Sequence, residues 1–166
     1  MSRYPTHSTQ IISTFSMWYI GMLHDYWMYR PDAEFLKDKL TGQRAILEFF
    51  SKYQQEDGSL KDLPYWRFVD WVGNMGWGPM GPDGSAAIYD VQLLLAYQWA
   101  ADLEKAIGIP FYAEYYTKKA TQLKATIRQK YWDESKKLFA DTKEKKGYSQ
   151  HVNSLAILAN IVDEAD

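Results

Sequence analysis

Apolar and polar positions along this chain predict five helical segments of alternating character. The first begins after a cap at Ser8 or Thr9, ends near Arg30 and is apolar on every side, as a buried helix is. Asp32 caps the second, which runs to about Gln54 and is apolar on one face only. A buried helix followed by an amphipathic one is therefore expected at the start of the chain.

The remaining three segments continue this alternation. The third, from about Ser85 to Ile107, is apolar nearly all round. The fourth starts at Pro110, a favoured first-turn position, and ends near Trp132 with lysines opposite its apolar face. The fifth begins at Ser149 and is again apolar on most sides. The predicted order is buried, amphipathic, buried, amphipathic, buried.

Connections between the segments alternate in length as well. Pro31 and the pair Gly108 and Ile109 make two short turns, whereas the other two connections are long against a usual loop of roughly 4–6 residues. Antiparallel neighbours would place all long loops on one face, called here the long-loop face, made by residues 1–8, 56–84 and 132–150. Each of these loops precedes a buried helix.

An inner ring of apolar helices and an outer ring of amphipathic ones is typical of an all-α toroid of antiparallel helical hairpins. One hairpin with its loops takes about 55 residues here, so a closed (α/α)6 six-hairpin toroid would need roughly 300 or more. Residues 1–166 are therefore predicted to form a single partial domain of about two and a half hairpins.

Composition narrows the function classes. A net charge of −2 gives no electrostatic footprint for nucleic acid, and the absence of cysteine excludes disulfides and thiolate chemistry. No apolar run approaches the ~18 residues of a membrane span. No signal-peptide core is recognised at the start of the sequence, which leaves the compartment undetermined.

One long loop concentrates candidate chemistry. The segment from Pro64 to Gly84 surrounds a single central carboxylate, Asp70, with aromatic residues: Tyr65, Trp66, Phe68, Trp71 and Trp77. Flat indole faces cover the C–H faces of a sugar ring, and a carboxylate accepts hydrogen bonds from its hydroxyls. This mixture favours a site for a neutral polyol. The alternative is a loop that packs its aromatic rings into the core.

Other motifs are weaker. Gly76, Gly78 and Gly81 match G-x-G-x-x-G, but no strand or βαβ unit surrounds them, and no histidine has metal-ligand spacing, so neither cofactor nor metal is predicted. His24 is interpreted as an interhelical packing residue. His151 lies in the first turn of the fifth helix on the long-loop face, where it could donate to a ligand hydroxyl, although a structural role is slightly favoured.

Several segments together resemble the catalytic domain of bacterial α-L-rhamnosidases. They are SRYPTHSTQIISTFSMWYIGMLHDYW, PYWRFVDWV, KYWDESKKLFADT and YSQHVNSLAILANIV, and the likeness covers nearly the whole chain in the same order. The resemblance implies an (α/α)6 barrel and an inverting glycoside hydrolase acting on terminal α-L-rhamnosides. A rhamnose-containing glycan or glycoside is then the expected partner, and a periplasmic or secreted parent protein is compatible with it.

The resemblance also implies roles for residues of the pocket. Trp66 would stack on the sugar or its methyl group, and Asp70 would accept hydrogen bonds from ring hydroxyls. Trp71 and Trp77 would wall the pocket. From the other long loop, the expected lining residues are His151 and Phe139.

No catalytic residue is assigned within the chain. The resemblance implies a general acid upstream of these residues and a general base beyond Asp166, so the isolated chain is expected to be a fragment with little or no activity. Two alternatives stay open: a six-hairpin enzyme for another sugar, and a non-catalytic helical protein-binding module. Because the first and fifth helices would lack neighbours on one flank, exposed apolar faces and self-association are also expected.

Overall fold

The structure, a computed structural model, describes residues 10–162 and is mostly helical. In chain order its elements are α1 (Phe15–Tyr29), α2 (Ala33–Lys37), α3 (Leu40–Ser51), α4 (Ala87–Ile107), α5 (Pro110–Tyr131), β1 (Trp132–Asp133), β2 (Leu138–Phe139) and α6 (Gln150–Leu158). The two short strands form one antiparallel hairpin. The predicted all-α class of helical hairpins is confirmed.

Helix α4 is the centre of the core. It packs against α1, α3, α5 and α6, and its most extensive contact is with α5. Its residues are buried on all sides of the helix, as the nearly continuous apolar sequence predicts, and Leu93, Leu94 and Tyr97 are among the largest fully buried side chains. Helix α5 buries one face only, through residues such as Leu123 and Ile127. The alternation of buried and amphipathic helices is confirmed for this central pair.

Helix α1 starts later than predicted. The proposed caps at Ser8 and Thr9 lie outside the described residues, and the helix begins at Phe15. The preceding residues are extended, because the Ile11 carbonyl accepts from the Trp66 N–H at 3.0 Å and Ile12 forms a parallel bridge with Trp66. Pairing with residues 64–84, called here the aromatic loop, therefore replaces the first predicted helical turn.

The second predicted helix is two helices. Asp32 caps α2 as predicted, its Oδ1 accepting from the Phe35 N–H at 3.0 Å, but the helical run is interrupted between α2 and α3 at Asp38 and Lys39. Ser149 caps α6, its hydroxyl accepting from the Val152 N–H at 3.3 Å. Helix α4 begins at Ala87, close to the predicted start.

Helices α1 and α6 are only partly buried, although their sequences predict buried helices. Met22 of α1 is 65% exposed and Ile157 of α6 is 67% exposed. The described neighbours cover one side of each helix and leave the other side open. This exposure agrees with the expectation that both helices present uncovered apolar faces. None of the helices within residues 10–162 has the length and apolar content of a membrane span.

A buried carboxylate ties the long-loop face to the core. Asp90, fully buried in the first turn of α4, accepts from the Leu60 N–H at 2.6 Å and from the Tyr131 hydroxyl at 2.7 Å. Burial raises the pKa of Asp90 to about 7, since removal from water penalises its charged form. Asp57 lies in a turn, where its Oδ1 accepts from the backbone N–H and the hydroxyl of Ser59.

Candidate functional site

Hydrogen bonds to neighbouring segments fix the aromatic loop in place. Besides the backbone bond from Trp66 to Ile11, the Thr14 hydroxyl donates to the Phe68 carbonyl at 2.8 Å. Within the loop, the Trp66 indole N–H donates to the Gly76 carbonyl at 2.6 Å. Hydrogen bonds to the residues before α1 and an internal hydrogen bond from the Trp66 indole therefore fix the loop.

Trp66 is the centre of an aromatic cluster. Its ring centroid lies 5.2 Å from that of Phe68, 5.8 Å from that of Trp71 and 6.2 Å from that of Trp77. Trp66 is half-buried, whereas Trp71 and Trp77 are 71% and 81% exposed. The two outer indoles therefore present their faces to solvent, which disagrees with a loop that packs all its rings into the core.

Asp70 of the aromatic loop contacts His151 in the first turn of α6. His151 Nε2 lies 3.0 Å from Asp70 Oδ2, and the other carboxylate oxygen accepts from the Trp71 N–H at 2.7 Å. The hydrogen bond with His151, followed by that from the backbone, lowers the pKa of Asp70 below its usual value. Both side chains remain partly exposed, so the pair stays accessible to a ligand.

The position of Phe139 contradicts its predicted role. Phe139 is fully buried in β2 and packs against Trp132 with ring centroids 4.9 Å apart. Its backbone is bonded on both sides to the Asn153 side chain, at 2.9 and 3.0 Å, which turns the ring into the core. Phe139 is therefore part of the core beneath the long-loop face and lines neither of the two cavities described next.

Two cavities contain three of the predicted site residues, Trp66 and Trp77 in the first and His151 in the second, whereas Asp70 and Trp71 line neither. The first, of about 470 Å³, is lined by Gln10, Ile11, Tyr65, Trp66 and Trp77. The second, of about 310 Å³, lies between the N-terminal halves of α1, α4 and α6 and is lined by Trp18, Val69, Ile88, Gln92, Gln150, His151, Ser154 and Leu155. Asp70 is connected to the second cavity through its bond with His151.

Trp18 and Gln92 are cavity residues that sequence reasoning missed. Nothing in the uniformly apolar first helix distinguishes Trp18 from its core neighbours. Gln92 did carry a signal, because it is a lone amide within an otherwise apolar stretch of α4. A polar side chain in a buried helix normally has a hydrogen-bond partner, so a glutamine in an apolar run is a candidate for a binding role.

His24 has the packing position that the sequence predicts. Its Nε2 lies 3.6 Å from a carboxylate oxygen of Asp102, and its ring is 6.4 Å from that of Trp99, so it lies between α1 and α4. Within residues 10–162, no group of three or more His, Cys, Asp or Glu side chains is arranged to hold a metal ion.

Helical hairpins with long loops before the buried helices are typical of six-hairpin glycosidase domains. The family model described as the bacterial alpha-L-rhamnosidase 6 hairpin glycosidase domain matches residues 4–166. The chain therefore belongs to the bacterial α-L-rhamnosidase six-hairpin family. A search of curated proteins gave no match.

Two rhamnosidases are among the solved structures that share this fold. The GH78 family rhamnosidase of Bacillus sp. GL1 superposes with a TM-score of 0.80 at 19% identity, over 96% of this chain and 17% of that chain. A rhamnosidase from Klebsiella oxytoca with rhamnose bound gives a TM-score of 0.75 at 16% identity, over 95% of this chain and 30% of that one. The chain thus spans less than a third of the length of either protein.

Proposed function

We propose that this chain is part of a glycoside hydrolase that acts on terminal α-L-rhamnosides, and that it contributes part of the sugar pocket. Family membership over nearly the whole chain supports the substrate class. The observation that carries the pocket is the 3.0 Å contact between Asp70 and His151, which brings polar groups from the aromatic loop and from the first turn of α6 together near exposed indoles. A rhamnose-containing glycan or glycoside is the proposed partner.

Each predicted site residue has a chemical role in this proposal. Trp66, at the centre of the cluster, stacks on the sugar or its methyl group, while Trp71 and Trp77 wall the pocket with exposed indole faces. Asp70 is ionised at neutral pH, its lowered pKa favours that form further, and it accepts hydrogen bonds from ring hydroxyls. His151 orients that carboxylate and has a ring near enough to the second cavity to contact the same ligand.

The proposal assigns binding, and not proton transfer, to Asp70. Inverting hydrolysis uses two carboxyl groups roughly 6.5–9.5 Å apart, one of which must be a protonated acid with a raised pKa. The pKa of Asp70 is shifted the other way, which is unsuited to a general acid. We therefore expect no turnover of 4-nitrophenyl α-L-rhamnoside by the 166-residue chain, with both principal catalytic groups supplied from elsewhere.

Calorimetric titration with L-rhamnose tests the pocket. The chain is expected to bind, and Asp70→Asn is expected to weaken binding by about tenfold or more, because a charge-assisted acceptor is lost. Asp25→Asn is the matched control, since Asp25 is an exposed carboxylate on α1 that pairs with His24. Equal affinities for the chain and Asp70→Asn would contradict the assignment, and tighter binding of another monosaccharide would favour a six-hairpin enzyme for that sugar.

A further inference from the structure

The second cavity contains a buried amide oxygen without a partner. Gln92 is only 4% exposed, lines this cavity from α4, and its Oε1 has no hydrogen-bond partner among the described residues. A buried polar group without a hydrogen bond destabilises the folded state, and nearly all buried polar groups in folded proteins are paired. The Gln92 side-chain amide therefore marks a position on the cavity lining where a ligand hydroxyl would complete the hydrogen bonding of the amide.

The rest of the cavity lining has a mixed character. Trp18 and Ile88 supply apolar surface from α1 and α4, while Ser154 and His151 add hydrogen-bonding groups from α6. No carboxylate, lysine or arginine is among the residues that line it. Such a surface suits a neutral molecule with hydroxyl groups on one side and C–H groups on the other.

We propose that Gln92 binds a sugar hydroxyl at the floor of a neutral-polyol subsite between α1, α4 and α6, with Trp18 against the C–H face of the ring. This inference rests on the proposed function and deepens it, because it places the monosaccharide beneath the Asp70–His151 pair. A volume of about 310 Å³ lies at the small end of ligand pockets, which run from about 300 to 1,000 Å³. One sugar ring, with its longer aglycone outside, matches that size.

Gln92→Leu separates a ligand-binding role from a structural one. Leucine removes the unpaired oxygen, so the urea midpoint of unfolding should stay unchanged or rise, while the affinity for L-rhamnose should fall by about tenfold. Gln98→Leu is the matched control on the same helix. Gln98 Nε2 donates to the Ala159 carbonyl at 3.0 Å, so this variant should lower the urea midpoint and leave the affinity unchanged. Unchanged affinity in Gln92→Leu would overturn the subsite.

Side-chain N–H signals in a ¹⁵N NMR titration of the full chain locate the sugar. The Gln92 amide and Trp18 indole signals, assigned with Gln92→Leu and Trp18→Phe, should shift with the same apparent affinity as L-rhamnose is added. Shifts confined to the indoles of Trp66, Trp71 and Trp77 would overturn the subsite and leave the proposed function standing. An absence of any side-chain shift would overturn both.

Discussion

Asp70 and Asp90 have pKa shifts of opposite direction because their surroundings differ. Asp70 is at the surface, where hydrogen bonds from His151 and the Trp71 backbone favour the charged form and lower its pKa. Asp90 is fully buried, and desolvation raises its pKa to about 7 despite two hydrogen bonds. The first is therefore suited to accept hydrogen bonds from a ligand, while the second is a structural group whose charge opposes folding.

Asp90 should make the stability of the protein fall as pH rises. Its folded pKa lies above the unfolded value of 3.8, so the folded state binds more protons between about pH 4 and pH 7. From pH 5 to pH 8, we expect this residue to lower the free energy of unfolding by roughly 2–3 kcal/mol. Urea unfolding of the chain and of Asp90→Asn at both pH values measures this change in the free energy of unfolding. An identical pH dependence in the two proteins would contradict the prediction.

The sequence identifies both Asp70 and His151 as pocket residues, but not the contact between them. A single carboxylate among five aromatic residues stands out in the loop, whereas His151 lies 81 residues further along the chain. Their contact depends on how the aromatic loop packs against the first turn of α6, which no local pattern encodes. Gln92 and Trp18 were missed for a related reason, since a cavity between three helices exists only after the helices have packed.

At the level of elements, the aromatic loop contains backbone positions that favour glycine. Gly73 and Gly78 both have positive φ, at +54° and +80°. A Cβ on Gly78 would lie 1.6 Å from the Tyr89 hydroxyl oxygen and 2.5 Å from the Arg67 carbonyl oxygen, two atoms that are hydrogen-bonded to each other. A Cβ on Gly73 would meet nothing within 4 Å.

Alanine at these two glycines should therefore have unequal effects. Gly73→Ala should lower the free energy of unfolding by about 1 kcal/mol, the cost of a strained backbone conformation alone. Gly78→Ala should cost at least ~2 kcal/mol more, because the methyl group displaces Tyr89 from the Arg67 carbonyl. Urea unfolding measures both. Equal losses would show that the close approach of Tyr89 does not constrain the loop.

Element boundaries show where local patterns lose to tertiary contacts. The start of α5 at Pro110 and the cap of α6 at Ser149 agree with the sequence, because each depends on residues within one turn. The predicted first helix begins too early, because local sequence does not show that Ile11 pairs with Trp66. Local sequence also does not show the interruption before α3, since Asp38 and Lys39 give no strong stop signal.

At the scale of the whole molecule, the described helices leave apolar surface uncovered at α1 and α6. Helices α1 and α6 both keep large exposed side chains, including Met22 and Ile157. Contiguous apolar surface of more than a few hundred Å² on a soluble domain usually meets a partner. We propose that copies of this chain associate through these two helices.

Sedimentation velocity across a range of concentrations should detect this association. Ile157→Glu should shift the equilibrium towards monomer, because a charge would be buried at the contact. Phe111→Glu is the control, since Phe111 is similarly exposed, at 68%, but lies on α5. A concentration-independent monomer that does not bind an apolar dye would contradict the proposal, as would equal effects of the two variants.

The most direct measurement is a crystal structure of this chain with L-rhamnose bound. The sugar is expected in the second cavity, with a hydroxyl within hydrogen-bond distance of Asp70 or His151, a second at Gln92, and Trp18 against the ring. Rhamnose bound away from both Asp70 and His151 would contradict the central claim that these two residues form part of the sugar pocket.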